Sequence, residues 1–202
     1  MVAGAQPRAS DGLPAFDVAL FVGYHARAGH PRGTIAHTYS GKPVETRLDG
    51  RPTGEYGLNA LILGAWGIPV GMVAGDDALA EEVEAWLPWA ERVVVKEADG
   101  TGSAISVHPR VARDLVRAGA ERAVRLASDD GGSAGGGLRL LEVGRPVVIE
   151  VDYARGVVAD HAAILPGAER VGDRTVRFTA DDPVTAYRGF LAINRLADAT
   201  DG

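Results

Sequence analysis

Three residues stand out for the chemistry they can do: His25, His37 and Glu55. His25 follows the apolar run Asp17–Val22 across Gly23-Tyr24, so it falls at the carboxyl end of an expected buried strand, where ligands of open α/β sheets gather. Its position can suit a metal ligand, but taken alone it reads first as an ordinary structural or surface histidine. His37 lies in the following loop, rich in Gly, Pro and His, and precedes Thr38. A neutral imidazole there can transfer a proton near neutral pH or hydrogen-bond a developing oxyanion; it can also simply face solvent. Glu55 follows Gly54 at the start of an expected helix. A carboxylate in the first turn favours the helix dipole by ~0.3–1 kcal/mol, which alone accounts for it. The sharper reading is a metal ligand held on a rigid helix end. No HExxH or comparable zinc signature decides between the two.

The other polar candidates have plainer readings. His30, between Gly29 and Pro31, reads as exposed loop, His108 as a helix-entry residue before Pro109, and His161 as a surface residue. Asp76-Asp77 reads as a helix cap rather than a ligand pair. Lys96 at a strand end reads as a snorkelling edge residue rather than a substrate contact.

The elements that must position these residues follow from periodicity. Asp17–Val22, Ile68–Ala74 and Arg92–Lys96 are apolar runs of strand length. Pro43–Leu48, Asp49-Gly50 and Arg51–Thr53 read as a hairpin with a type I′ turn. Glu55–Trp66 carries Leu58, Leu61, Ile62 and Trp66 at helical spacing, stopped by Gly67. Helices are expected from Ala78 to Leu87 and from Pro109 to about Ala127. Strand, helix, strand, helix, strand, helix argues for an α/β core, residues 1–128, built on a mostly parallel sheet covered by helices. Residues 129–137 read as a flexible Gly-rich connector. Residues 138–202 read as a smaller C-terminal α+β subdomain, with strands at Leu138–Val143, Pro146–Val151 and Thr175–Thr179. Helices are expected there near Val157–Ala163 and after Asp182-Pro183.

Composition narrows the classes. The chain has 202 residues, a formal charge of −6 and two lysines, with no basic patch to meet nucleic acid. It has no Cys, which excludes disulfides, thiol nucleophiles and Cys-ligated zinc, so any metal must be held by His and carboxylates. No secretory leader is legible in Met1–Ala15, and no apolar run approaches the roughly 20 residues that span a bilayer. A cytoplasmic protein without membrane contact is the expectation.

Four ordered motifs add a resemblance. Gly23-Tyr24-His25-Ala26-Arg27-Ala28, Gly33-Thr34-Ile35-Ala36-His37-Thr38, Gly54-Glu55-Tyr56-Gly57-Leu58-Asn59-Ala60 and Val73-Ala74-Gly75-Asp76-Asp77 resemble the D-aminopeptidase family of zinc metallopeptidases, the type encoded with bacterial dipeptide-transport operons. The resemblance implies removal of N-terminal D-amino acids from short peptides, two zinc ions ~3.5–4 Å apart, and a self-compartmentalised homo-oligomeric ring. It also implies His25 and Glu55 as zinc ligands and His37 as the catalytic histidine. The substrate-binding residues stay unassigned.

The family pattern also includes an opening strand with an Asp-x-Glu pair and a later Asn-Asp-Ser-His segment, neither of which occurs in this sequence. The expectation is therefore that N-terminal strands of the family fold are missing, that the dinuclear site is incomplete, and that a sheet edge is uncovered. Two alternatives stay open: a non-catalytic α/β module that binds a peptide or partner, and a zinc amidohydrolase of other specificity.

Overall fold

The computed structural model describes residues 16–129 and 137–200. In chain order its elements are β1 (Ala19–Val22), β2 (Pro43–Leu48), β3 (Arg51–Pro52), α1 (Glu55–Ala65), β4 (Val70–Asp76), α2 (Asp77–Trp86), β5 (Glu91–Ala98), β6 (Ala104–Ser106), α3 (Pro109–Asp129), β7 (Val147–Tyr153), α4 (Gly156–Ala162), β8 (Ala168–Arg170), β9 (Thr175–Ala180) and α5 (Pro183–Asp198).

They form two sheets. The first has the order β1-β4-β5-β6, with β1, β4 and β5 parallel and β6 antiparallel at the edge. All seven residues of β4 are buried, which is why this central strand reads as a continuous apolar run rather than an alternating one. Met72, Ala74 and Val93 face α3 across Ala123, while Val73 belongs to the main core with α1 and α2.

The second sheet has the order β3-β2-β7-β9-β8 and is antiparallel throughout. β7 alternates cleanly: Val147, Ile149, Val151 and Tyr153 are fully buried, whereas Glu150 and Asp152 face outward. The outward row sets the register through charge. Arg47 lies opposite Glu150, and Glu150 opposite Arg177. The Arg47 guanidinium donates to Glu150 at 3.1 Å and to Asp152 at 2.7 and 3.1 Å, and Arg177 donates to Glu150 at 2.7 Å. Between the sheets lies α1, which touches α5, α2 and β4 and buries Tyr56, Leu58, Ala60, Leu61 and Ile62.

The α/β class and a partly parallel sheet agree with the expectation. The hairpin forms as expected, with Asp49 and Gly50 both at positive φ (49° and 76°). It does not join the parallel sheet, however, but pairs with β7. The boundary drawn between residues 1–128 and 138–202 therefore crosses a sheet built from both segments.

Leu138–Val143 is corrected: it forms no strand. The segment crosses α1 at Gly64, where the missing side chain leaves room for the Leu141 backbone, while Leu138 lies over Gly71 of β4 beside Ala123. The short strands β6 and β8 were not expected. Three residues each, they carry too little periodicity to read. The connector at 129–137 falls almost entirely outside the described residues.

Candidate metal centre

The site begins where β1 ends. Gly23 and Tyr24 both donate their N–H groups to the Ala74 carbonyl at 3.1 Å, so the chain leaves the sheet beside β4 and delivers His25 past the strand ends. Gly54, the N-cap residue of α1, lies directly against Arg27: a Cβ there would stand 2.9 Å from the Arg27 Cβ. That close approach brings the first residue of α1, Glu55, to His25.

The loop carrying His37 is held from several sides. Asp76 caps α2 by accepting from Leu79 N–H at 2.8 Å, and its other oxygen accepts from Thr34 N–H at 2.9 Å. Thr38, fully buried, accepts from Ala28 N–H through its hydroxyl at 3.1 Å. Ile35 and Tyr39 bracket His37 at positive φ, 50° and 61°. Such backbone is unfavourable for a β-branched or bulky residue and persists only where surroundings over-determine it.

His25, His37 and Glu55 converge. The two imidazoles stack with centroids 3.9 Å apart and an interplanar angle of 17°. Their Nε2 atoms stand 3.4 and 3.6 Å from the same Glu55 oxygen, Oε1. Accessibility rises in order across the group, with side-chain exposures of 10% for His25, 20% for Glu55 and 38% for His37.

Hydrogen bonds fix the tautomers. His25 Nδ1 lies 3.0 Å from the Ala26 carbonyl and His37 Nδ1 lies 2.6 Å from the Ile35 carbonyl. A carbonyl only accepts, so both Nδ1 atoms donate, and in each neutral ring Nε2 is left with its lone pair. Two lone pairs and a carboxylate then point at one another, an arrangement relieved by a proton or a cation among them. Burial disfavours charge on His25, but the Glu55 carboxylate, the Ala26 carbonyl and Asp76 outweigh it and raise its pKa. Burial pushes Glu55 up, yet His25, the Tyr39 N–H and His37 together bring its carboxyl below the ordinary range.

The donor set fits a divalent ion. Each of His25, His37 and Glu55 offers one potential donor atom, and these atoms lie within 4.8 Å of one another. Donors bonded at ~2.0–2.1 Å around a tetrahedral zinc stand roughly 3.3 Å apart, close to both separations from Glu55. Imidazole and carboxylate without thiol suit zinc.

The remaining candidates lie apart from this cluster. His30 is half-buried rather than exposed, because its Nδ1 accepts from Arg32 and Gly33 N–H at 3.2 and 3.0 Å and folds the ring onto its own loop. His108 accepts from Arg110 N–H at the entry to α3, and His161 sits exposed in the last turn of α4. Lys96 lies within β5, in register with Asp76.

A group of polar residues beneath the cluster was not singled out from sequence. Tyr39 N–H donates to Glu55 Oε1 at 2.8 Å, and the Tyr39 hydroxyl donates to Asn59 Oδ1 at 2.6 Å. Tyr24, Tyr39 and Tyr187 all meet Asn59. Tyr24 and Asn59 stood inside two of the quoted motifs, which was the available signal. Tyr187, on α5, lies outside all four motifs.

Comparison with known proteins relates the chain as a whole to one family. The family model described as D-aminopeptidase matches residues 3–192. A D-aminopeptidase of Bacillus subtilis is 34% identical over 186 residues, covering 92% of this chain and 65% of the relative. A solved structure described as a Zn-dependent D-aminopeptidase from Bacillus subtilis, a self-compartmentalizing protease, superposes with a TM-score of 0.83 at 31% identity. It covers 93% of this chain and 65% of its own. The chain thus spans just under two thirds of the length of these relatives.

Proposed function

The chain belongs to the D-aminopeptidase family, and on that premise we propose that it acts in zinc-dependent removal of N-terminal D-amino acids from short peptides. The observation that carries this reading is the convergence of two Nε2 lone pairs on the Glu55 carboxylate, in a chain whose relative is described as Zn-dependent. In this proposal His25 and Glu55 hold the metal, and His37 serves the reaction. His37 is the more exposed imidazole, open to a substrate, whereas His25 is enclosed.

A zinc ion held there supplies Lewis acidity. The Ile35 carbonyl keeps the His37 proton on Nδ1, which leaves Nε2 as the base. That nitrogen takes a proton from the attacking water and returns it to the leaving amine as the peptide bond breaks. Of the two ions the resemblance implies, the described residues offer a donor cluster for one.

We also place the chain in a homo-oligomeric ring, on the strength of the relative's description as self-compartmentalizing. The exposed apolar residues Val94, Ile105, Val107 and Val111 accord with surface covered by other copies.

The experiment is hydrolysis of D-alanyl-D-alanine by the zinc-loaded chain, with mass measured by light scattering on the same sample. Release of D-alanine much faster than release of L-alanine from the L,L dipeptide, and a mass several times 21.0 kDa, are expected. Absence of hydrolysis with zinc bound overturns the peptidase reading in favour of a binding module. A 21.0 kDa particle overturns the ring.

A further inference from the structure

Glu55 is not held by the two histidines alone. Asn59 lies one turn further along α1, on the same face as Glu55. Its Oδ1 accepts from Tyr39 Oη at 2.6 Å and lies 3.1 Å from Tyr187 Oη, and its Nδ2 donates to Tyr24 Oη at 2.9 Å. The Tyr39 and Tyr187 hydroxyls are 2.6 Å apart.

Counting protons orders these contacts. Each phenol carries one hydrogen. With Tyr39 donating to Asn59, the close Tyr39–Tyr187 contact is satisfied when Tyr187 donates to Tyr39. A single chain then runs from Tyr187 on α5 through Tyr39 to Asn59 and on to Tyr24, every hydroxyl partnered. The Tyr39 ring is further held edge-on by Phe190 and Tyr187, at centroid distances of 5.4 and 6.5 Å.

This chain ends at the metal ligand in two ways. It fixes Asn59 on the helix that carries Glu55. It also anchors the side chain of Tyr39, whose backbone stands at φ 61° and whose N–H reaches Glu55 Oε1 at 2.8 Å. A backbone conformation unfavourable for tyrosine needs such an anchor, and the N–H it presents goes to the oxygen that faces both imidazoles.

We propose that Tyr187 and Asn59 are positioning residues for Glu55, so that α5, 148 residues from Tyr39, sets how tightly the cluster binds a divalent ion. The proposal rests on the reading of His25 and Glu55 as ligands, and its test separates the two. Tyr187→Phe removes one hydroxyl and keeps the ring. Zinc affinity is measured by competition with a chromophoric chelator on the full chain, beside Glu55→Gln, with hydrogen exchange of the Tyr39 amide followed in the metal-free protein.

Tyr187→Phe is expected to weaken zinc about 10–100-fold, the usual effect of losing a group that orients a ligand. Exchange at the Tyr39 amide should accelerate at least several-fold, with amides of α3 unchanged. Wild-type affinity and wild-type Tyr39 exchange in Tyr187→Phe, while Glu55→Gln loses zinc, overturn the proposal and leave the ligand reading intact. Equal zinc binding by wild type and Glu55→Gln overturns the ligand reading, and the link to metal affinity falls with it. The Tyr39 exchange rate then decides separately whether Tyr187 holds the loop.

Discussion

At the scale of single residues, the roles assigned to His37 and Glu55 separate by experiment. Glu55 brings a carboxylate oxygen to both imidazoles, so Glu55→Gln should lose bound zinc at stoichiometric concentration, read by elemental analysis. His37→Ala should keep its zinc within a few-fold while kcat falls by ~10²–10⁴, the usual range for a lost general acid or base. Loss of zinc in His37→Ala instead makes it the third ligand, which the 4.8 Å limit on donor separations also permits. The types and order of these residues were legible, because each sits in a motif with its glycine or its strand end. Their tautomers were not, since those depend on two carbonyls aimed by the fold of the loop. Tyr39 gave no signal at all. Its value lies in a positive φ, which sequence announces for glycine or asparagine but not for tyrosine.

At the scale of elements, the loop between β1 and β2 is clamped onto α2. Glu82 accepts from Arg27 N–H at 3.0 Å and faces the Arg27 guanidinium at 3.2 Å, while Arg32 reaches Asp77 and Glu81 at 3.0 and 2.7 Å. Burial raises the Glu82 carboxyl to about 7, only partly offset by Arg27. A folded pKa above the unfolded value means the native state holds that proton longer. This contribution therefore favours folding at low pH and is lost as pH rises from about 4.5 to about 7. The loss is on the order of 3 kcal/mol at most, at roughly 1.4 kcal/mol per unit. Glu82→Gln should remove it, so that the difference in unfolding free energy between wild type and variant shrinks or reverses as pH falls from 8 to 5. A constant difference in urea titrations across that range would show that Glu82 is already charged at low pH. The elements themselves were largely readable, since helices with caps and apolar strands declare their period. Leu138–Val143 misled because an apolar run of strand length says nothing of whether a sheet edge awaits it.

At the scale of the whole molecule, neither half of the sequence completes its own structure. β2 depends on β7, and Leu48, Tyr56 and Leu61 share one core with Ile149, Tyr187 and Phe190. A chain ending at Ser128 should lack a cooperative urea transition and a near-ultraviolet dichroism signal, whereas the full chain shows both; a cooperative transition in the shorter chain would mean that the first sheet and its helices suffice. The sequence order hid this dependence, because the hairpin lies among the α/β elements yet pairs with strands that follow α3. The pairing has a consequence in time. Arg47 and Glu150 are 103 residues apart, so at ~5–20 residues per second the ribosome delivers β2 roughly 5–20 s before β7 emerges. For that interval the hairpin waits without its sheet, and the loop that bears His37 waits with it. The cluster is assembled only once α5, whose Tyr187 follows Tyr39 by 148 residues, arrives to lock Tyr39 in place.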